Sequence, residues 1–314
     1  MNLKNFFFIG LLAFTAISLT SCGDDDDNTD NTPQSIAALA QDTPDLSILV
    51  DALVRADLVS VLEGTGTYTV FAPTNAAFTQ FLADNNFSSL DEVPVDVLTN
   101  ILLNHVLGTM NKSTDLSNLY TTTLATAQGN NVSMYINTDS GVRINGVSSV
   151  STADIEASNG VIHIVDAVIG IPSVVTFATA DPTFETLVAA LTRSDLTTDF
   201  VSVLSGDGPF TVFAPTNGAF GDLLTELGIS GLGDIDVATL DAVLKTHVIA
   251  GANVIDSQLV DGSTVTPISE AGLTVDLSSG AKLVDPRDRT IDIIATNVQA
   301  GNGVIHAINK VILP

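Results

Sequence analysis

The 314-residue chain has one cysteine, no tryptophan, three tyrosines and four histidines, and only ten lysines and arginines. A lone cysteine excludes disulfide frameworks, paired redox thiols and thiolate zinc clusters. The shortage of bases matters as much. Thirty-six acidic residues give a formal charge of −26, so nucleic acid would be repelled over most of the surface. Few aromatic residues and few histidines argue against base-stacking platforms and histidine-rich metal centres. What remains is 45% hydrophobic and 15% charged, the balance of a folded chain long enough for two ordinary domains.

The N-terminus carries an address. Lys4 and the apolar run Phe6–Leu19 have the form of a secretory leader over residues 1–21, too short to span a bilayer as a helix. Leu19-Thr20-Ser21-Cys22 resembles the lipobox of bacterial lipoproteins, and the chain's single cysteine stands at its acylated position. Residues 22–34 follow with Asp24-Asp25-Asp26-Asp27 and no apolar residue, the composition of a solvated tether. Cysteine followed by acids resembles the surface-export signal of Bacteroidetes lipoproteins. The expectation is an outer-membrane lipoprotein held through Cys22 and exposed at the surface, with a periplasm-facing placement as the alternative. Calcium binding by the aspartates is disfavoured, because no EF-hand spacing or glycine turn organises them.

Everything after the tether is written twice. Thr69-Val70-Phe71-Ala72-Pro73-Thr74-Asn75 recurs as Thr211-Val212-Phe213-Ala214-Pro215-Thr216-Asn217, and Asn159-Gly160-Val161-Ile162-His163 recurs as Asn302-Gly303-Val304-Ile305-His306. His105-Val106 recurs as His247-Val248, so all four histidines fall into repeated positions. The offset grows from 138 at Pro44/Pro182 to 142 at Phe71/Phe213, which places a four-residue insertion near Thr197–Phe200. Such a period is too long for a solenoid and indicates tandem domains, 35–172 and 173–314, joined near Ile171-Pro172-Ser173. Residues 36–172 carry 14 acids and 3 bases, residues 173–314 carry 17 and 6, and each half is therefore at −11.

Within one copy, Leu46, Leu49, Val50, Leu53 and Val54 recur at helical spacing after Pro44, with Asp51 and Arg55 four apart on the polar side. Tyr68–Ala72 reads as a strand, Pro73 fixes a turn, and Thr74 or Asn75 caps a helix from about Ala76. Pro94 opens a further helix with the stripe Leu98, Ile101, Leu102 and His105, mirrored by Leu240, Val243, Leu244 and His247. Gly108 and Gly251 suit the stops of these helices. Val132–Asn137, Gly141–Val147 and Val161–Val168 then read as strands, with Asn159-Gly160 as a hairpin turn. Helices followed by antiparallel strands make the fold class α+β.

Together these blocks resemble the fasciclin (FAS1) domain, and the resemblance covers both copies. It implies two tandem domains, each a β-sheet wedge flanked by helices, and a role in extracellular adhesion or matrix association without catalysis. The Tyr-His pair linked to integrin contact in animal members is here Asn104-His105 and Thr246-His247, so integrin recognition does not carry over. The motif residues Phe71, Pro73, Asn75, His105 and His163, with Phe213, Pro215, Asn217, His247 and His306, are expected to be structural.

Candidate chemistry is sparse. No serine sits in a Gly-x-Ser-x-Gly elbow, so no nucleophile accompanies the histidines. A His105–His163 metal pair would need a third ligand that the spacing does not supply. Each histidine is better read as a core residue with hydrogen-bonded ring nitrogens, and no catalytic residue, cofactor or metal is expected. Asp285-Pro286-Arg287-Asp288-Arg289 reads as a charged loop, with anion docking as the sharper alternative. Adhesion through an extracellular protein or polysaccharide partner is the favoured function. A small-molecule or glycan-binding accessory lipoprotein of an uptake system is the alternative, and a hydrolase stands third.

Overall fold

The computed structural model describes residues 33–314. The leader 1–21, Cys22 and the acidic run to residue 32 lie outside the described residues. In the first half, three short helices, α1 (Ile36–Gln41), α2 (Ser47–Arg55) and α3 (Val59–Glu63), precede β1 (Tyr68–Pro73). Helices α4 (Asn75–Asp84) and α5 (Val95–Leu103) come next, then β2 (Val106–Leu107), β3 (Leu119–Ala127), β4 (Asn130–Asn137), β5 (Arg143–Ile144), β6 (Ser148–Ala157) and β7 (Gly160–Val165). The second half repeats this order with α6 (Val174–Ala180), α7 (Glu185–Leu191), α8 (Phe200–Leu204), β8 (Phe210–Pro215), α9 (Asn217–Leu227) and α10 (Val237–Thr246). It closes with β9 (Val248–Ala250), β10 (Thr264–Val265), β11 (Leu273–Asp276), β12 (Lys282–Val284), β13 (Thr290–Ala300) and β14 (Gly303–Ile308).

Each half forms one seven-stranded sheet with the same strand order, β2-β1-β7-β6-β5-β4-β3 and β9-β8-β14-β13-β12-β11-β10. The class is α+β. The sheets are mixed, because β1 runs parallel to β7 and β8 parallel to β14; the expectation of purely antiparallel strands fails at this one pairing. Both faces of β1 are covered. Val70 and Ala72 pack under the helices, while Phe71 points into a second cluster with Met134, Ile136, Ile144 and Val165. A strand buried on both sides reads as a continuous apolar run, which is why Val70, Phe71 and Ala72 lack alternation.

The helix starts follow local chemistry. Thr74 and Thr216 accept from the amides of Ala77 and Ala219, so each caps a helix that begins at the following asparagine. The Asn75 carboxamide then reaches back to α2, accepting from Ile48 N at 2.9 Å and donating to Pro44 O at 3.0 Å. Asn217 does the same with Thr186 N and Pro182 O. Val54, placed by its spacing on the apolar stripe of α2, is 64% exposed, and the helix instead buries Leu49, Ala52 and Leu53. Arg55 does not pair with Asp51. Its guanidinium donates to the carbonyls of Leu90 and Asp91, and Arg193 likewise takes Leu232 O and Ile235 O. Gly108 and Gly251 end the strands β2 and β9 rather than the helices. Of the strand expected over Gly141–Val147, only Arg143–Ile144 forms one, with Gly141 in an isolated bridge to Asp139.

The two halves share a buried contact. The long β3–β4 hairpin of the first half has only short counterparts in β10 and β11, and it reaches the second half's core. Tyr135 belongs to that core, and Tyr120 lies edge-on to Phe177 with ring centroids 5.4 Å apart. Gln299 N on β13 donates to Ser133 Oγ on β4 at 3.0 Å, a buried bond. Gly146 is close to Ala180, so a Cβ there would stand 3.1 Å from the alanine methyl. We therefore expect calorimetry of the protein to show one cooperative unfolding transition. Phe177→Ala, which removes a fully buried ring at a cost of roughly 3–5 kcal/mol, should split it into two. Tyr120→Ala on the other side of the contact should split it as well. A single unshifted transition in both variants would show that the halves are not energetically joined.

Candidate functional site

The repeated blocks converge on the parallel strand pair. The backbones approach so closely there that a Cβ on Gly160 would stand 2.1 Å from Tyr68 O, and one on Gly303 would stand 2.3 Å from Phe210 O. Only glycine fits at these two positions. The preceding asparagines do more than form a turn. Asn159 accepts from Ile36 N at 2.9 Å and donates to Leu62 O at 2.7 Å and Gly64 O at 2.9 Å, tying α1 and the end of α3 to the sheet. Asn302 repeats the set with Val174 N, Leu204 O and Gly206 O. Sequence reasoning assigned Asn159 to a hairpin; its presence in both copies was the signal for a larger role.

His105 and His247 follow the last turn of α5 and α10 and are 1% and 2% exposed. Each Nδ1 lies against the carbonyl four residues back, Ile101 O at 2.8 Å and Val243 O at 2.7 Å. Each Nε2 receives an amide from the segment after the last strand, Ile169 N at 2.9 Å and Ile312 N at 3.0 Å. A carbonyl can only accept and an amide can only donate, so both rings are neutral with the proton on Nδ1. Burial pushes both down to about 4, only partly offset by the carbonyl contacts; the nearby Arg289 charge lowers His247 further.

His163 and His306 are fully buried on the last strand of each half, with ring centroids 5.5 and 5.7 Å from Phe71 and Phe213. They solve a different problem. The neighbouring strands β6 and β13 are bulged, and the bulge residues Asp154 and Asn297 have φ of 62° and 59°. That turns their amides off the ladder. His163 Nδ1 accepts Asp154 N at 3.2 Å and His306 Nδ1 accepts Asn297 N at 3.4 Å. On the far side, Nε2 donates to Asn111 O at 3.0 Å and Val254 O at 2.8 Å. Thr69 and Thr211, which the sequence reading did not single out, hold the same loops by accepting from Asn111 N and Val254 N. Burial lowers His306 despite its carbonyl partner and Asp256. The Asp154 carboxylate lies 4.0 Å from His163 Nδ1, and two donors from Ser113 hold its own ionisation below the ordinary range.

No ring has a free lone pair, so none can serve as a base or ligand in this arrangement. His105 and His163 each bind backbone through both ring nitrogens, and not each other. Among the described residues no three His, Cys, Asp or Glu side chains are placed to hold a cation. Pro73 and Pro215 end β1 and β8, and the one cis peptide among the described residues is Gly208–Pro209. The charged loop at Asp285 is internally spent. That carboxylate is buried and accepts from Arg287 N, from Arg289 through its amide and guanidinium, and from Leu313 N. Burial alone would raise its pKa, but these donors hold it below the ordinary range. Arg289 donates onward to Val311 O, so its own guanidinium is not an open fork, while Arg287 Nε donates to Pro314 O at 3.2 Å. No single helix among the described residues is long and apolar enough to cross a membrane.

His105 and His247 predict a pH response. Unfolded histidine takes up a proton near pH 6.5, whereas folded His105 and His247 resist until about pH 4. Acidification through that window therefore favours the unfolded chain, by roughly 3 kcal/mol per ring when complete. Urea midpoints measured from pH 7.5 to pH 4.5 should fall, and His105→Gln should lose part of that slope. An unchanged slope in the variant would contradict neutral burial of the ring.

The fasciclin domain model matches residues 44–172 and again 182–314. Transforming growth factor-beta-induced protein ig-h3 from Sus scrofa is 29% identical over 255 residues, covering 81% of this chain and 35% of that protein. Human periostin is 28% identical over 290 residues, covering 89% of this chain and 31% of its own length. Protein sll1483 of Synechocystis is 38% identical over 142 residues, 45% of this chain and 73% of that one. The chain thus spans about a third of the length of the animal relatives it matches. Its fold is that of a solved FAS1 domain pair from the insect cell adhesion molecule fasciclin I, with a TM-score of 0.52 at 18% identity, covering 86% of this chain and 97% of that one. With both halves matched in full order, the chain belongs to the fasciclin domain family as a tandem pair.

Proposed function

We propose that this chain is a non-catalytic adhesion or matrix-interaction protein of a bacterial outer membrane, lipid-anchored through Cys22 and displayed at the cell surface. Its partner is an extracellular protein or polysaccharide. The observation that carries the reading is the tandem fasciclin pair itself, in a family that includes an insect cell adhesion molecule from which a FAS1 domain pair of this fold has been solved. The spent histidines support it, since a hydrolase built on His105 or His163 would need a free ring nitrogen beside a nucleophile. The acidic stretch after Cys22 gives the pair reach from the membrane, and two joined copies raise avidity for a repetitive partner.

A glycan-binding role in uptake fits less well. Such a site needs several polar groups converging in a pocket, and the cavity beneath α6, α7 and α8 does not supply them, its wall being aliphatic and aromatic apart from Thr179 and Thr192.

Attachment and fractionation test the proposal together. Cells carrying the wild-type chain should retain it in the outer-membrane fraction and adhere to surfaces coated with envelope or matrix polymers. Cys22→Ser should release the protein and abolish adhesion. Retention of Cys22→Ser in the membrane would refute the anchor, and unchanged adhesion by cells lacking the gene would refute the role.

A further inference from the structure

We propose that the second half holds a small, uncharged hydrocarbon-like molecule, alkyl or aromatic, in the cavity between α6, α7, α8 and the sheet. This goes beyond adhesion and does not depend on it. The cavity measures about 170 Å³ and is walled by Val174, Leu187, Leu204, Val212, Ala214 and Ile305. The first half has the same positions filled by Ile36, Leu49, Leu62, Val70, Ala72 and Ile162, where only about 10 Å³ is left. The fold therefore closes this space when its sequence allows. The opening is particular to the second copy.

Two differences between the halves border it. Val174 replaces Ile36 and removes a methylene from the wall. More important, eight residues (192–199) join α7 to α8, where three (56–58) join α2 to α3. The longer connection is tied to α10. Thr198 N donates to the Asp241 carboxylate at 3.0 Å, and Asp241 is itself paired with Lys245 at 2.6 Å. Helix α8 is thereby set on a separate anchor rather than drawn directly against α7.

The walls select the chemistry. The only hydroxyls lining the cavity, on Thr179 and Thr192, already donate to Val175 O at 2.9 Å and Val188 O at 2.8 Å. A sugar or carboxylate buried here would leave its own polar groups without partners, at a cost of several kcal/mol on transfer scales. An apolar cavity of about 150 Å³ elsewhere stays dry and takes up benzene, so the size suits a ring or short alkyl group. The charge of −11 over this half further disfavours an anion. Thr179, Thr192 and Val201 are exposed at the rim, which gives a ligand an approach from solvent.

The test uses the full chain with Cys22→Ser, so that neither lipid nor detergent competes for the probe. Toluene and 1-hexanol are titrated while the methyl resonances of Val, Leu and Ile are followed by NMR. Saturable shifts should appear at Val174, Leu187, Leu204 and Ile305 and be absent at Ile36, Leu49, Leu62 and Ile162. Ala178→Leu, which fills the space, should weaken binding by about tenfold or more. Val174→Ile, which restores the first half's residue, is the milder second variant and should weaken it in the same direction. Absence of saturable shifts, equal shifts in the two halves, unweakened binding by both folded variants, or equal binding of octanoate or maltose would each overturn the proposal.

Discussion

The structure depends on bringing two strands about ninety residues apart into parallel contact. Tyr68–Pro73 lies beside Gly160–Val165, and Phe210–Pro215 lies beside Gly303–Ile308, in the same register. Closing such long loops costs entropy that local contacts do not repay. The compensation is concentrated at the pairing. Glycine permits the close approach, Asn159 and Asn302 fasten the first helices across it, and His163 and His306 satisfy the amides that the adjacent bulges displace. His105 and His247 then lock the following helix to the end of the same half. The four histidines are used as two-sided connectors between backbone segments, which explains why a chain so poor in histidine places all of them here.

Duplication with divergence accounts for the rest. The halves are alike where the parallel pair is built and unlike at its periphery. In the first half the β3–β4 hairpin is extended, and its tyrosines enter the core of the second. In the second half those strands are cut to two and four residues, while the connection between α7 and α8 is lengthened. One elaboration joins the domains and the other borders a cavity. Neither disturbs the strand order.

Much of this was legible in the sequence because repetition filtered it. Any residue present in both copies at matching offsets, such as Phe71/Phe213 or His105/His247, was marked before its role was visible. The class, the tandem arrangement and the capped turn after Pro73 followed from these blocks and from local spacing. What stayed hidden was non-local. The parallel pairing cannot be read from residues 68–73 or 160–165 alone, since neither strand shows which partner it meets. Arg55 was assigned to Asp51 four residues away, but its partners are carbonyls 35 and 36 residues distant. Gly108 and Gly251 were assigned to helix ends because the short strands β2 and β9 carry almost no pattern of their own. Thr69 and Thr211 stood inside a recognised block, yet a threonine in a strand has no spacing that distinguishes a loop anchor from a packed side chain.

The central claim, that all four histidines are structural connectors, is tested most directly by long-range ¹H–¹⁵N NMR of the imidazole rings at pH 7. The structure predicts a single tautomer for each ring: the proton on Nδ1 in His105 and His247, and on Nε2 in His163 and His306. Tautomeric mixtures, or the reverse assignment at any of the four, would mean that a ring nitrogen is free and that the account of these residues is wrong.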